Sequence, residues 1–400
     1  MADRNENNTN EQNTYVNIAS RVKKIRYVIV TVLVLFVALA IFSYREDLTI
    51  ENFRYLMKYV NVKPVVFGSD DNTQINFESD SATICSSFKE DLVVLTKSSL
   101  KIYDMTSTEI LESAHSMNSP QIALGEKYFS VYDLGGKYIA VYNSFSKLWE
   151  TTLDYPIYDV SIDEAGNFCV CTSAADHTSA LLVYDNRFEQ IFAWKSVDKY
   201  AVCADIFTDK NTYMSVGTIK STTEGDILST LLVMSRDSSE VLCTVTLESE
   251  MIMNVRFNDE SNIVCLTDKA LRVYSLSGEL LSAYKFDAKI LRNFSQGGKW
   301  SVLVLNENVV GKEHQVIIFD AKGNTYLEKN IASEITDLCI SSGYVFLLGV
   351  EDVTVIDISK KEAESYGTDR SYRSIELINN SNVYLVYDSV AFASGVHVDG

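Results

Sequence analysis

From about residue 80 to its end, the chain alternates short apolar runs with polar punctuation. Segments such as Asp91-Leu-Val-Val-Leu-Thr, Ala180-Leu-Leu-Val-Tyr, Gln315-Val-Ile-Ile-Phe and Val383-Tyr-Leu-Val-Tyr are β-branched and aromatic, a few residues long, and bounded by Asp, Asn, Gly, Ser and Lys. That pattern predicts β-strands. Turn signals stand between them at Gly135-Gly136, Asp163-Glu-Ala-Gly166-Asn, Ser277-Gly278, Gly297-Gly298 and Lys322-Gly323-Asn324. No helical period of useful length follows residue 62, so the large domain reads as all-β.

The runs recur as a unit: one run, a turn, a second run, a hairpin, a third run closed in most units by an aromatic or aliphatic residue plus Asp or Asn, then a short fourth run. The third-run endings are Tyr103-Asp104, Tyr142-Asn143, Tyr184-Asp185, Arg236-Asp237, Tyr274-Ser275, Phe319-Asp320, Ile356-Asp357 and Val398-Asp399. Taken singly, each Asp is an ordinary turn residue. The eight endings have a mean spacing of about 42 residues, the length of a four-stranded propeller blade. The sequence therefore predicts a β-propeller of eight four-stranded blades over residues 63–400, with seven blades as the alternative. The last unit offers only three strands before the chain ends, and Gln74-Ile-Asn-Phe77 is a spare run ahead of the first unit. Pairing that run into the last blade would close the ring and leave no open edge.

A different pattern precedes the domain. Tyr27 to Tyr44 (YVIVTVLVLFVALAIFSY) carries no charge, and at 1.5 Å per residue it would extend roughly 27 Å, enough to cross a bilayer core. Arg21, Lys23, Lys24 and Arg26 stand before it, whereas Arg45 is followed at once by Glu46 and Asp47. This bias predicts a single-pass anchor with the amino end in the cytoplasm and the propeller outside the cell membrane. The rival reading is a signal peptide cleaved after Ala38-Leu39-Ala40, although the apolar run continues through Ile41 and Phe42. Residues 1–26 are expected to be a disordered cytoplasmic tail, since the first 20 are Asn/Glu-rich and almost without apolar content. Residues 45–62 are expected to hold a short amphipathic stalk, with Ile50, Phe53, Leu56, Met57 and Val60 on one stripe, lying on the outer membrane face or packed under the domain.

Composition narrows the function. A formal net charge of -19 disfavours nucleic acid as a partner, because a phosphate-binding protein needs a basic footprint. The seven cysteines, Cys85, Cys169, Cys171, Cys203, Cys243, Cys265 and Cys339, are odd in number and lie in apolar alternating segments. They lack Cys-x-x-Cys spacing and are expected to be small buried hydrophobes. Free thiols on an exported domain point to a habitat poor in oxygen.

Two junctions carry a resemblance. Tyr184-Asp185-Asn-Arg-Phe-Glu-Gln-Ile-Phe-Ala-Trp194-Lys, and Tyr142-Asn143 through Leu148-Trp149-Glu150, resemble the repeat of quinoprotein-like and WD40-like propellers, in which an Asp turn precedes a docking Trp. Tyr284 stands near that place in the fifth unit, and Trp300 lies elsewhere in its own. The resemblance implies the fold over residues 65–400 and stops short of the enzyme: quinoprotein dehydrogenases need a Ca²⁺ site, an Asp base and typically a vicinal cysteine pair, and here Val170 separates Cys169 from Cys171. The whole layout of basic tail, anchor, stalk and propeller resembles an uncharacterised clostridial-type family of membrane-anchored propellers that carries a domain-of-unknown-function label.

Candidate chemistry is sparse. His115, His177, His314 and His397 fall in different units and form no metal-ligand spacing. No Gly-x-Ser-x-Gly elbow, Walker loop or dinucleotide fingerprint occurs. No catalytic residue, cofactor or metal is therefore assigned. The informative asymmetry is hairpin length: Thr96-Lys-Ser-Ser and Thr267-Asp-Lys-Ala are tight, whereas Ser173–Ser179, Lys220–Asp226 and Asn306–His314 are extended. Rigid scaffolds concentrate function on such loops. Asp176 and His177, Thr223, Glu224 and Asp226, and Glu307, Lys312 and Glu313 are thus candidate contact residues for an envelope protein or polymer; tolerated insertion is the plainer explanation of the same loops. The expectation is a membrane-tethered, non-enzymatic interaction scaffold, the alternative a ligand-sensing or carbohydrate-binding ectodomain that uses the propeller channel.

Overall fold

The computed structural model describes residues 26–27, 29–36, 74–222, 225–238, 241–307 and 313–396, and the chain divides into two units, Met1–Lys63 and Pro64–Gly400. In the first unit, residues 26–27 and 29–36 are helical. Among the described residues no helix is long and apolar enough to cross a membrane. Of the tail expected at 1–26 only Arg26 is described, as part of this helix; residues 1–25, the second half of the expected span at 37–44 and the stalk expected at 45–62 lie outside the described residues.

In the second unit, every strand belongs to one of eight antiparallel four-stranded sheets. Seven blades use consecutive strands, at 84–114, 120–152, 157–196, 200–248, 252–285, 290–331 and 335–367. The eighth takes Ser374–Leu377, Asn382–Tyr387 and Val390–Gly395, and its outer strand is Gln74–Asn76 from the other end of the domain. The register is Gln74↔Phe392, Ile75↔Ala391 and Asn76↔Val390. The predicted eight blades and their closure through Gln74-Ile-Asn are what the structure shows, and the seven-blade alternative falls. Ser107 Oγ of blade one also donates to Gln74 O at 2.6 Å, and Tyr384 OH of blade eight to Glu90 O at 2.8 Å.

The core explains why the strands read as they do. Second strands such as Asp91–Leu95, Phe129–Asp133 and Ile263–Thr267 are buried throughout, because both faces of a blade pack against neighbours. Outer strands such as Glu109–Ala114 and Lys147–Thr152 alternate between exposed and half-buried positions. The buried side chains form eight clusters, each shared by two successive blades. The cluster of Ile75, Tyr384 and Val386 with Cys85, Leu92 and Val94 joins blade eight to blade one.

The recurring Asp has a physical role. Asp104 Oδ1 accepts the amides of Thr106 and Thr108, Asp185 Oδ1 those of Arg187 and Glu189, and Asp320 Oδ1 those of Lys322 and Asn324. Each carboxylate thus replaces backbone partners at the turn into the outer strand, where a register shift falls at the end of the third strand. Two endings differ from the sequence reading. In blade four the third strand stops at Ser235, before Arg236-Asp237, and in blade eight it stops at Gly395, residues 397–400 lying outside the described residues. Trp149 packs on Phe168, Tyr184 and Phe188, and Tyr284 meets Phe319 edge-on at 5.2 Å, so the outer-strand aromatics dock against the next blade as the repeat implies.

Candidate functional site

Strand direction sorts the loops onto two faces. First-to-second and third-to-fourth hairpins share one face; second-to-third hairpins share the other with the connections between blades. The innermost strands are Ile84–Phe88, Pro120–Leu124, Ile157–Ile162, Tyr200–Thr208, Ile252–Phe257, Ile290–Gly297, Ile335–Ile340 and Ser374–Leu377. In blades three to seven each innermost strand is bulged at its second or third residue, with a register shift after Ile157, Ala201, Ile252, Leu291 and Ile335. A bulge leaves one residue out of the ladder; here these are Tyr158, Val202, Met253, Arg292 and Thr336, at the ring's entrance on the connection face.

All three hairpins singled out in the sequence lie on that connection face, but they differ in kind. In blade three the extension is made of strand: Phe168–Ala174 and His177–Tyr184 are joined by Ala175-Asp176 alone. The expected long loop is therefore a tall hairpin with a two-residue turn, because the alternating Cys-Thr-Ser-Ala and His-Thr-Ser-Ala segments pair to their ends. Asp176 is exposed with φ 59°, and His177 Nδ1 bonds Ala175 O at 2.7 Å. In blade four Thr212–Ser221 and Ile227–Ser235 are separated by 222–226, of which Asp226 is exposed and accepts the Thr222 amide at its carbonyl oxygen, at 2.8 Å. Thr223 and Glu224 lie outside the described residues. In blade six Glu307 and Glu313 are exposed beside 308–312, which lie outside them with Lys312.

Blades three and four bring their hairpins together through the chain that connects them. Thr178 Oγ1 donates to Val197 O at 2.6 Å, Ser179 Oγ donates to Lys199 O at 2.7 Å, and Lys220 Nζ pairs with Asp198 at 2.6 Å. The blade-six hairpin stands apart, with blade five between. Around the joined hairpins lies what the sequence reading missed, a bare apolar surface: Val197 is 67% exposed, Tyr200 58%, Met253 48% and Met251 40%, with Ile227, Tyr158 and Leu134 also exposed on this face. Val197 and Met251 alone carried a signal in the sequence, as apolar residues inside inter-blade connections where polar turn residues are usual; Tyr200 and Met253 stand within strands.

Channel-facing positions carry a second feature. Asp159 Oδ2 accepts the Ala204 amide at 3.0 Å, Asp205 Oδ2 the Phe257 amide at 2.6 Å, and Asp337 Oδ2 the Ile375 amide at 3.0 Å. Each carboxylate stitches its own innermost strand to the next blade's. Ser161 Oγ donates to Asp205 Oδ1, and Arg256 donates to Ala204 O at 2.9 Å while lying 3.6 Å from Asp205. Burial pushes Asp205 up, against the pull of Arg256, Ser161 and the Phe257 amide. Burial also works to lower Arg256, and Asp205 and Asp159 outweigh it and raise it. Across the ring, burial, reinforced by Asp337 and opposed by Ser86, pushes Glu376 up to about 8. An Asp or Arg inside apolar runs such as Ile252-Met-Asn-Val-Arg-Phe marks these positions in the sequence.

The remaining candidate groups are dispersed. His115 bonds Thr96 O at 2.9 Å, His314 is buried at the start of a third strand, and His397 lies outside the described residues. Among the described residues no three His, Cys, Asp or Glu side chains are grouped to hold a metal ion. Cys85, Cys169, Cys171, Cys203 and Cys265 are buried and all seven thiols are free, with burial pushing Cys85 up to about 11 and Cys265 to about 12.

Comparison with known proteins agrees on the fold. Residues 69–391 match DUF5711, a family of unknown function. Among curated proteins none matches. Of solved structures, Sqt1 of Saccharomyces cerevisiae is 11% identical, with TM-score 0.59, over 84% of this chain and all of that one. BamB of Moraxella catarrhalis is 10% identical, with TM-score 0.51, over 84% of this chain and all of that one. A quinohemoprotein alcohol dehydrogenase of Pseudomonas putida is 10% identical, with TM-score 0.53, over 84% of this chain and 79% of that one. At these identities the likeness is one of fold.

Proposed function

The chain belongs to DUF5711, a family of unknown function, and from its geometry we propose that its propeller is a non-enzymatic protein-interaction scaffold. The observation that carries this reading is the apolar surface of Val197, Tyr200, Met251 and Met253 beside the joined hairpins of blades three and four. Exposed apolar side chains gathered on one face of a rigid scaffold are the usual mark of a docking surface. The polar groups of the channel support the same reading: Asp159, Asp205 and Asp337 are engaged in hydrogen bonds between blades, which suits structural duty better than proton transfer.

We further propose that the apolar segment from Tyr27 tethers the propeller to a cell membrane and that the propeller works on the outer side, in a bacterial envelope. The Lys/Arg bias around that segment supports this orientation. The partner is then an envelope protein or polymer, and Asp176, His177 and Asp226 border its footprint.

The test is site-specific photo-crosslinking from Tyr200 in the full-length chain in intact cells, with and without Met253→Asp and Val197→Asp. A discrete adduct that disappears in the double variant is expected. Recovery of the same adduct from the double variant, or from a chain lacking residues 65–400 that carries the crosslinker elsewhere, would sink the scaffold reading.

A further inference from the structure

Each blade ends in an outer strand with one hydrogen-bonded neighbour, so among the described residues its far edge is open. An open edge invites a further strand, and folded proteins guard it with short length, charge or proline. Most outer strands here are guarded in one of these ways. Gln74–Asn76 is three residues long, and Glu109–Ala114, Lys147–Thr152, Thr325–Ile331 and Glu362–Gly367 each carry two charged residues. Gln190–Ser196 and Leu280–Lys285 run five residues before a lysine. Val241–Glu248 of blade four, at eight residues the longest of these strands, runs Val-Leu-Cys-Thr-Val-Thr-Leu before its first charge.

Side chains stand on the two faces of a strand, so covering one face leaves the edge free. Cys243, Val245 and Leu247 join the core that blades four and five share, and the blade-five turn packs Gly278 so closely on Cys243 that a side chain there would collide with the sulfur. Thr244 and Thr246, on the other face, are exposed, as are Val241 and Leu242. Over 243–248 the strand keeps regular register with 228–233, so every second residue turns its N–H and C=O away from that neighbour. A row of such groups is matched by an extended backbone. Charge selects which backbone. Residues 64–400 hold 26 of the chain's 35 Lys and Arg and 48 of its 54 Asp and Glu, a formal net charge of -22. A second copy would bring the same sign, which opposes self-association. The uncharged run ends at Glu248, and Glu279 follows Gly278 beside its other end; both carboxylates are exposed.

We propose that the outer edge of blade four accepts an extended segment of a partner protein as a fifth strand, the segment having an uncharged, β-branched centre and basic ends. Its backbone pairs with the open N–H and C=O groups over 243–248, its β-branched side chains lie beside Thr244 and Thr246, and its basic ends meet Glu248 and Glu279. Docking at Val197, Tyr200 and Met253 plays no part, so the edge takes its strand whether or not that surface has a partner.

The test is fluorescence anisotropy of the full-length chain in a neutral detergent with the labelled peptide Lys-Val-Thr-Val-Thr-Val-Lys amide, beside the same peptide N-methylated at its five central residues, which keeps side chains and charge but removes the donors. Saturable binding, at least tenfold tighter than that of the methylated peptide, is expected, together with slowed amide hydrogen exchange confined to residues 241–248. Thr244→Lys/Thr246→Lys puts the missing charge into the edge and should weaken binding at least tenfold, while Thr325→Lys/Asn330→Lys, the same charge change on the outer strand of blade six, should bind as the parent does. No saturable binding, equal affinity for the methylated peptide, an unchanged blade-four variant, an equal loss in the blade-six variant or protection away from 241–248 would each overturn the proposal. So would a concentration-dependent dimer that Thr244→Lys/Thr246→Lys abolishes, since the edge would then belong to a second copy.

Discussion

Glu376 stands on the innermost strand of blade eight, where burial and Asp337 oppose its ionisation and Ser86 weakly favours it. Its carboxyl is pushed from about 4.5 up to about 8 in the fold, so the folded chain holds that proton more tightly than the unfolded chain. Stability therefore falls as pH rises between those two values and is flat outside them. A gap of that size is worth at most about 5 kcal/mol at 1.36 kcal/mol per unit. Solvent in the channel reaches the half-buried side chain and screens this to about 2 kcal/mol. Glu376→Gln removes the charge and keeps a group able to bond Ser86. The assay is urea unfolding followed by tryptophan fluorescence from pH 4 to pH 9. Relative to the parent, the variant should gain about 2 kcal/mol of stability between pH 4.5 and 8 and nothing further above. A pH-independent difference, or one that narrows with rising pH, would refute the argument.

Arg256→Met strands Asp205 and Asp159 without their cation and should cost about 2 kcal/mol in the same assay, the usual penalty reduced for a guanidinium one-third exposed; adding Asp205→Asn should recover most of it. Ile75 is fully buried in the closing blade, so Ile75→Ala should cost about 2–4 kcal/mol and make the 74–76 strand the first site of limited proteolysis. Cys169, Cys171 and Cys203 are buried, with burial raising each thiol. They should resist an aromatic disulfide reagent in the native chain and react together after denaturation, whereas fast reaction in the native state would show that blades three and four open.

Local chemistry made much of the fold legible. Strand alternation, the Asp that accepts amides two and four residues on, and the spare Gln74-Ile-Asn run all act within a few residues or by simple counting, so blade number and closure could be argued from order alone. Hairpin height in blade three could not: Cys-Thr-Ser-Ala and His-Thr-Ser-Ala read equally as loop or ladder until they pair.

The function-bearing surfaces belong to the tertiary structure for the same reason. Ala204 and Arg256 are 52 residues apart and meet because successive innermost strands pack around one axis. Val197, Tyr200 and Met253 look in sequence like any core apolar residue, and only the ring shows that no blade covers them. The repeat follows from local pattern alone, because each blade reiterates one order of strands and turns. The packing of eight such blades decided which polar groups face the channel and which apolar groups face out, because burial depends on neighbours that no local pattern encodes.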